Sequence, residues 1–178
     1  KKIIIESLIL LTISIFIIFF QFNQVPKKLS WDEVEFTRLA LSLDNKPYTP
    51  YSQLATGHST LYFYLIHASF KFFGVTNFAL RFPSALFGVI NVLILYFILR
   101  IIFSKIAYFP KHFLRIFLTP FFLSLIFVSS RWYFNFARFS FEATFLLFLE
   151  LLSLWFFLKW LHLKHFKFLI PSAFFSGL

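Results

Sequence analysis

The sequence has no cysteine, no methionine and only seven acidic residues among its 178 positions. The lack of cysteine excludes disulfide bonds, thiolate chemistry and cysteine-type metal sites, and it leaves the redox compartment open. Charged residues amount to 13% of the chain, about half the share of a typical soluble domain. Because there is no methionine and the chain stops at Leu178 inside an apolar run, we expect the N-terminal part of a longer protein.

Hydrophobic residues dominate instead. They make up 60% of the chain, 32 of its residues are phenylalanine, and the mean hydropathy is +0.81. This composition is typical of an integral membrane protein. The net charge is +10, but the basic residues are spread between apolar blocks and form no dense stripe. We therefore expect a lipid bilayer as a partner and no nucleic acid.

Long apolar blocks predict an all-α integral membrane fold. The first block, residues 3–22, has no small-residue cleavage site near its end, so it is predicted to remain in the protein as a spanning helix. Further spans are predicted at about residues 81–103, 113–130 and 139–161, with the start of a fifth from residue 168. The expected architecture is a multi-pass helical bundle with one long connection at residues 23–80.

Lysines and arginines near the short connections set the predicted orientation, because positively charged loops stay on the cytoplasmic side. They flank the N-terminus, the second connection and the fourth connection, at Lys1, Lys2, Arg100, Lys105, Lys111, Arg115, Lys159, Lys164 and Lys167. We therefore predict a cell-membrane protein with a cytoplasmic N-terminus. The connection at residues 23–80 and the short one at residues 131–138 are then predicted to face outward.

The long outer connection is predicted to be ordered, since it is rich in aromatic residues and has almost no glycine or serine run. Ser30 and Glu33 have the spacing of a capping box, which predicts the start of a short helix. A second helix is predicted from about Ser59 to Phe73, ended by Gly74. Both helices are expected to be amphipathic and to lie along the membrane surface.

Four of the seven acidic residues lie between Ser30 and Asp44, and two explanations for this cluster stay open. Carboxylates in the first turn of a helix interact favourably with the helix dipole, by about 0.3–1 kcal/mol each. The cluster also stands a few residues outside the first span, at the level of the lipid headgroups. There a carboxylate could take part in chemistry on a membrane substrate.

Three stretches of the chain carry a family resemblance. They read WDEVEFTRLALSL soon after the first span, then GHSTLYFYLIHASFKFFGVTNFALRFPSALFGVINVLILYFILRIIF, then SSRWYFNFARFSFEATFLLF. Their order and spacing resemble the N-terminal part of the GT-C membrane glycosyltransferases. The branch that they resemble includes the dolichyl-phosphate-mannose protein mannosyltransferases and the aminoarabinose transferases that modify lipid A.

The resemblance implies a reaction and a catalytic residue. Asp32 and Glu33 match the acidic pair that opens the first outer loop of the family, with Asp32 as the general base on an acceptor hydroxyl and Glu33 as its neighbour. The implied donor is a polyprenyl-phosphate-linked sugar, transferred with inversion on the outer side of the membrane. The implied acceptor is a protein or a lipid-linked glycan, and the sugar itself stays open.

Cations on the predicted outer side could hold the donor phosphate. Arg131, Asn135, Arg138 and Glu142 would form one polar stripe if their stretch is a continuous helix, with Glu142 orienting Arg138. Arg81 stands at the outer mouth of the second span. For each arginine, the alternative is a headgroup anchor or a helix ion pair.

His58 matches a family histidine that precedes two prolines, but Ser59 and Thr60 follow it here. It is a candidate substrate or metal contact. The sequence contains no His/Asp/Glu spacing that specifies a metal site, so no metal ligand is assigned. No cofactor is predicted, and assistance by a divalent metal held between separated loops stays open.

Two other classes stay open beside the transferase. Glu150 is predicted near the middle of the fourth span, where an acidic residue costs about 2.5–3.5 kcal/mol on insertion scales. With Asn91 it favours a multi-pass transporter, although the chain shows no internal repeat. A noncatalytic membrane scaffold would keep the spans without needing the acidic pair.

Overall fold

The computed structural model describes residues 1–51, 59–105 and 119–178. Within these ranges every regular element is a helix, and the strand-like contacts are limited to one isolated bridge between Tyr51 and Ser59. The predicted all-α class is therefore confirmed. The helices are α1 (Lys2–Phe19), α2 (Trp31–Ser42), α3 (Leu61–Phe73), α4 (Asn77–Lys105), α5 (Pro120–Ser129), α6 (Arg131–Arg138), α7 (Glu142–Leu163) and α8 (Leu169–Ser176), with a 3₁₀ turn at Phe166–Phe168.

Three of these helices, α1, α4 and α7, are long and apolar enough to cross a membrane. They overlap the spans predicted at residues 3–22, 81–103 and 139–161, and the membrane class is confirmed. The predicted third span falls partly on residues 106–118, which lie outside the described residues; its described part is the ten-residue apolar helix α5. The predicted fifth span corresponds to the shorter apolar helix at residues 166–176.

Helix α4 is the centre of the bundle, because α1, α3, α5, α6 and α7 all pack against it. Pro83 lies inside α4 and cannot donate a hydrogen bond to the carbonyl of Ala79. The hydroxyl of Ser69 on α3 donates to that carbonyl instead, at 2.6 Å. The position of the proline therefore gives α3 a specific polar contact on α4.

The two predicted helices of the long connection are present. At the start of α2, the Ser30 side chain accepts from the Glu33 amide and the Glu33 carboxylate accepts from the Ser30 amide, so the capping box is confirmed. Helix α3 ends at Phe73 before Gly74, as predicted, and Gly74 has a φ of +73° that favours glycine. Buried side chains of α2, α3 and the start of α4 form one hydrophobic cluster.

The chain is extended between α6 and α7, with φ −97° and ψ 147° at Phe139. Tertiary contacts take the amides that would continue the helix: the Ser140 amide donates to the Glu33 carboxylate at 3.2 Å, and the Phe141 amide donates to the Ser84 hydroxyl at 3.1 Å. Arg138 and Glu142 therefore belong to different helices. The continuous helix that the predicted polar stripe required does not form.

Helix α6 lies directly against α4 at Gly88. A Cβ atom added to Gly88 would lie 2.7 Å from the Cβ of Ala137 and 3.3 Å from the Cδ1 of Ile18. The Tyr133 hydroxyl donates to the Gly88 carbonyl at 2.5 Å. The absence of a side chain on Gly88 thus lets α6 approach the backbone of α4.

We expect Gly88→Ala to destabilise the protein by about 1–3 kcal/mol, because the added methyl group has no space against Ala137. The matched control is Gly177→Ala, whose added Cβ would meet its nearest atoms at 3.6 Å, an ordinary contact distance. Thermal unfolding of both variants in detergent checks this. Equal midpoints for the two variants would contradict the close α4–α6 contact.

Candidate active site

Glu33 and Arg81 form a buried ion pair that joins α2 to α4. The Arg81 Nε donates to Glu33 Oε1 at 2.6 Å, and an Arg81 terminal nitrogen donates to Oε2 at 2.9 Å. Both side chains are only 1% exposed. The same carboxylate accepts the amides of Ser30 and Ser140, so both of its oxygens are occupied by protein donors.

Arg81 donates its other hydrogen bonds to backbone carbonyls, and Arg138 donates its hydrogen bonds to backbone carbonyls as well. Arg81 binds the carbonyls of Pro26 and Lys28, at 2.6 and 3.1 Å. Arg138, also buried, binds three carbonyls at the end of α1 and in the segment that follows it, those of Phe20, Gln21 and Val25. The two guanidinium groups therefore fix the path of the chain between α1 and α2.

The environments of Glu33 and Arg138 shift the pKa values of these two side chains. Burial opposes ionisation of Glu33, but hydrogen bonds from Arg81 and from the Ser30 and Ser140 amides outweigh it and hold its pKa below the usual value. Burial and the nearby charge of Arg81 lower the pKa of Arg138. Arg138 nevertheless stays charged at neutral pH, because a free guanidinium has a pKa above 12. Glu33 is thus an ionised carboxylate whose two oxygens both accept hydrogen bonds from the protein.

Asp32 has the opposite environment, although it is the next residue in the chain. Its side chain is exposed and has no hydrogen-bond or ion-pair partner among the described residues. It lines a cavity of about 340 Å³ whose other wall comes from α6 and the segment after it, including Asn135, Phe136 and Phe139. Of the two adjacent acids, Asp32 is the one that is available to a substrate.

Arg131 lines a second cavity of about 340 Å³ with Trp132, Asn135 and Phe136. Its side chain is exposed and is likewise unpaired within the described part of the chain. The two cavities share Asn135 and Phe136, so they adjoin. Arg131 and Asn135 are four residues apart on α6 and point to the same side of that helix.

The remaining predicted site residues lie elsewhere. Glu142 lines a different cavity, of about 180 Å³, with Tyr62 and Phe145, and this cavity has no lining residue in common with that of Asp32. His58 lies outside the described residues. The structure thus brings Asp32 and Arg131 to adjoining cavities. The other three charged residues, Glu33, Arg81 and Arg138, are buried and bind the backbone around these cavities.

A family model for dolichyl-phosphate-mannose-protein mannosyltransferases matches residues 57–178, more than half of the chain. The chain belongs to this family. The GT-C resemblance is confirmed, and the family is one of glycosyltransferases that use a polyprenyl-phosphate-linked sugar. Comparison with curated proteins and with solved structures gave no match.

The family match includes the cationic part of the site and leaves out its acidic part. Arg81, Arg131 and Arg138 lie within the matched residues of this mannosyltransferase family, whereas Asp32 and Glu33 precede them. The match therefore supports the family, and the assignment of a catalytic base depends on the resemblance in the first outer loop and on the geometry around Asp32.

Sequence reasoning missed the contact between Glu33 and Arg81, which are 48 residues apart, because no local pattern pairs them. It also missed Trp132 and Phe136 as walls of the Arg131 cavity. The sequence did contain a signal for them, because each aromatic residue directly follows one of the polar residues Arg131 and Asn135 on the same short helix. In the described ranges no three His, Asp or Glu side chains group closely enough to hold a metal ion.

We expect Arg81→Gln to lower the free energy of unfolding by about 3–5 kcal/mol, because the Glu33 charge would stay buried without its partner. The matched control is Arg38→Gln, which removes an exposed ion pair with Glu35 on α2. That change is expected to cost less than about 1 kcal/mol. Thermal unfolding in detergent measures both, and a similar small loss for the two variants would contradict a structural role of the buried pair.

Proposed function

We propose that this protein transfers a sugar from a polyprenyl-phosphate donor to an acceptor hydroxyl on the outer side of the membrane, with inversion. The observation that carries the proposal is the pair of adjoining cavities: within the described part of the chain, the Asp32 carboxylate in one and the Arg131 guanidinium in the other have no hydrogen-bond or ion-pair partner. A base and an anion-binding group in adjoining cavities suit a displacement at a sugar carbon held between them.

Asp32 acts as the general base. The acceptor oxygen forms a bond to the sugar C1, its proton passes to the Asp32 carboxylate, and the bond from C1 to the phosphate oxygen breaks with its electron pair on the lipid phosphate. Attack opposite the leaving group inverts the configuration at C1. A placed carboxylate contributes about 10²–10⁴-fold to such a step.

Arg131 binds the lipid phosphate and stabilises the charge that develops on it as it leaves. A guanidinium suits this role because its donors match two phosphate oxygens at once. Trp132 and Phe136 form an aromatic wall of the same cavity, against which the first apolar units of the lipid pack. The amide of Asn135, shared by both cavities, lies between base and phosphate and hydrogen-bonds to sugar hydroxyls.

The buried residues position this site. Glu33 holds α2 and the Ser140 amide together, so it fixes the direction in which Asp32 leaves the helix. Arg81 and Arg138 hold the backbone before α2, and their donors are occupied by protein oxygens. We assign Glu33, Arg81 and Arg138 as positioning residues, and Asp32 and Arg131 as the groups that contact the substrates.

The family name supplies the sugar and the acceptor for this proposal: mannose and a protein hydroxyl. The outward side follows from the distribution of basic residues, which predicts a cytoplasmic N-terminus. The transporter alternative depended partly on Asn91, whose amide donates to the Thr144 carbonyl at 3.0 Å and so links α4 to α7. Its other support, Glu150, lies on a different surface from the two cavities.

Asp32→Asn is expected to reduce sugar transfer by about 10²–10⁴-fold with little change in donor affinity, because the amide keeps the shape and loses the base. Full-length protein in membranes would be assayed with a panel of radiolabelled polyprenyl-phosphate sugars. The matched control is Glu35→Gln, an exposed acid on the same helix. Equal transfer by both variants would exclude Asp32 as the base, and no transfer by the wild type from any donor would favour the transporter or scaffold.

Arg131→Ala is expected to weaken donor binding by about ten- to a hundredfold, the loss typical of a hydrogen bond to a charged group. Competition by unlabelled polyprenyl phosphate measures this affinity without requiring turnover. Arg38→Ala, which removes an exposed arginine from α2, serves as the control. If Arg131→Ala binds the lipid phosphate as well as the control does, the phosphate site lies elsewhere.

A further inference from the structure

Glu150 is a charged residue that the proposed reaction leaves unused. It lies on α7 eight residues after Glu142, about 12 Å into a helix of about 33 Å. Its side chain is exposed, and it has no hydrogen-bond or ion-pair partner in the described part of the chain. A carboxylate at this depth in a membrane ordinarily faces protein and is paired.

The surroundings of Glu150 form a groove of about 450 Å³ between α7 and α8. Apolar side chains make up most of its walls, together with the serines Ser153, Ser172 and Ser176. Glu150 is the one charged residue among the described side chains that line it. The side chains that line the groove are therefore apolar or carry a hydroxyl group, apart from one carboxylate.

Two serines hold the walls of the groove in place. The Ser153 hydroxyl donates to the Ser172 carbonyl at 2.9 Å, and the Ser172 hydroxyl donates to the Ser153 carbonyl at 3.0 Å. These reciprocal bonds fix α7 against α8, so the groove is built into the pair of helices. Both hydroxyl protons are donated in these two hydrogen bonds and are not available to Glu150.

The Glu150 face of α7 also carries uncovered apolar side chains. Leu146, Leu154 and Phe157 are 52%, 42% and 39% exposed, and they lie four residues before, four after and seven after Glu150. This spacing puts all four on one side of the helix. Only 11% of the α7 span is buried, compared with 39% for α4. The face has the length and the pattern of a helix-packing surface.

We propose that this face binds another membrane-spanning helix that carries a lysine or arginine opposite Glu150. Charge complementarity carries the choice, because a cation satisfies the carboxylate in its ionised form. The nearest basic residue along α7 is Lys159, nine residues farther on, and its ammonium lies 3.8 Å from the centre of the Trp155 ring. Lys159 is thus held about two and a half turns away, which is the opposite side of α7, and the proposed cation comes from a different helix.

The test places a photo-crosslinking amino acid at Leu154, on the Glu150 face, in the full-length protein in its native membrane. The matched control position is Ile9 on α1, whose exposed fraction, 43%, is almost the same. We expect Leu154 to crosslink to an apolar segment that contains a lysine or arginine, identified by mass spectrometry of the crosslinked peptide. Glu150→Gln should reduce that crosslink about three- to thirtyfold, because it leaves the cation unpaired.

Exchange of the two charges completes the test. Glu150→Lys alone should abolish the crosslink, and the reciprocal change of the identified basic residue to glutamate should restore it. The proposal is overturned if Leu154 crosslinks only to lipid, to α7 of a second copy, or to a helix without a basic residue. It is also overturned if Glu150→Gln crosslinks as the wild type does, since a neutral side chain would then suffice. None of these outcomes depends on sugar transfer.

Discussion

The buried ion pair between Glu33 and Arg81 is the contact on which the arrangement of the candidate site depends. An ion pair removed from water is favourable only when its remaining donors and acceptors are also satisfied. Here the Ser30 and Ser140 amides donate further hydrogen bonds to the carboxylate, and the Pro26 and Lys28 carbonyls accept further hydrogen bonds from the guanidinium. One pair therefore fixes α2, α4, the turn before α2 and the extended segment after α6.

The same requirement operates through the rest of the bundle. In an apolar environment each backbone group that leaves a regular helix needs another partner. Pro83 frees the Ala79 carbonyl, and Ser69 takes it; the helix is interrupted at Phe141, and Ser84 takes its amide. The sites where a helical hydrogen bond is lost are thus also the sites where helices are joined, and these polar bonds give specific contacts to surfaces made mostly of phenylalanine and leucine.

The need of buried polar groups for partners gives the two adjacent acids different roles. Successive residues of a helix point about 100° apart, so Asp32 and Glu33 cannot face the same surroundings. Glu33 points into the bundle and is neutralised by Arg81, whereas Asp32 points into a cavity next to Arg131. Asp32, the proposed base, remains accessible because Glu33 makes the structural contacts with Arg81 and the Ser140 amide. The cations divide in the same way: Arg81 and Arg138 donate to backbone carbonyls, whereas Arg131 is exposed.

The sequence by itself determined the features that depend on local chemistry. Apolar length defined α1, α4 and α7, the Ser30 capping box defined the start of α2, and Gly74 defined the end of α3. These follow because composition, capping and φ preference act within a few residues of the chain.

Only the tertiary structure decided which charged residues are buried. The stretch from Arg131 to Glu142 has a helical pattern, yet the amides of Ser140 and Phe141 bind Glu33 and Ser84 and interrupt it. Asp32 and Glu33 both lie in the first turn of α2, and Arg131 and Arg138 both lie on α6, yet one member of each pair is exposed and the other is buried. Their difference comes from partners more than 40 residues away, and a carboxylate or guanidinium in the sequence does not show whether such a partner will reach it.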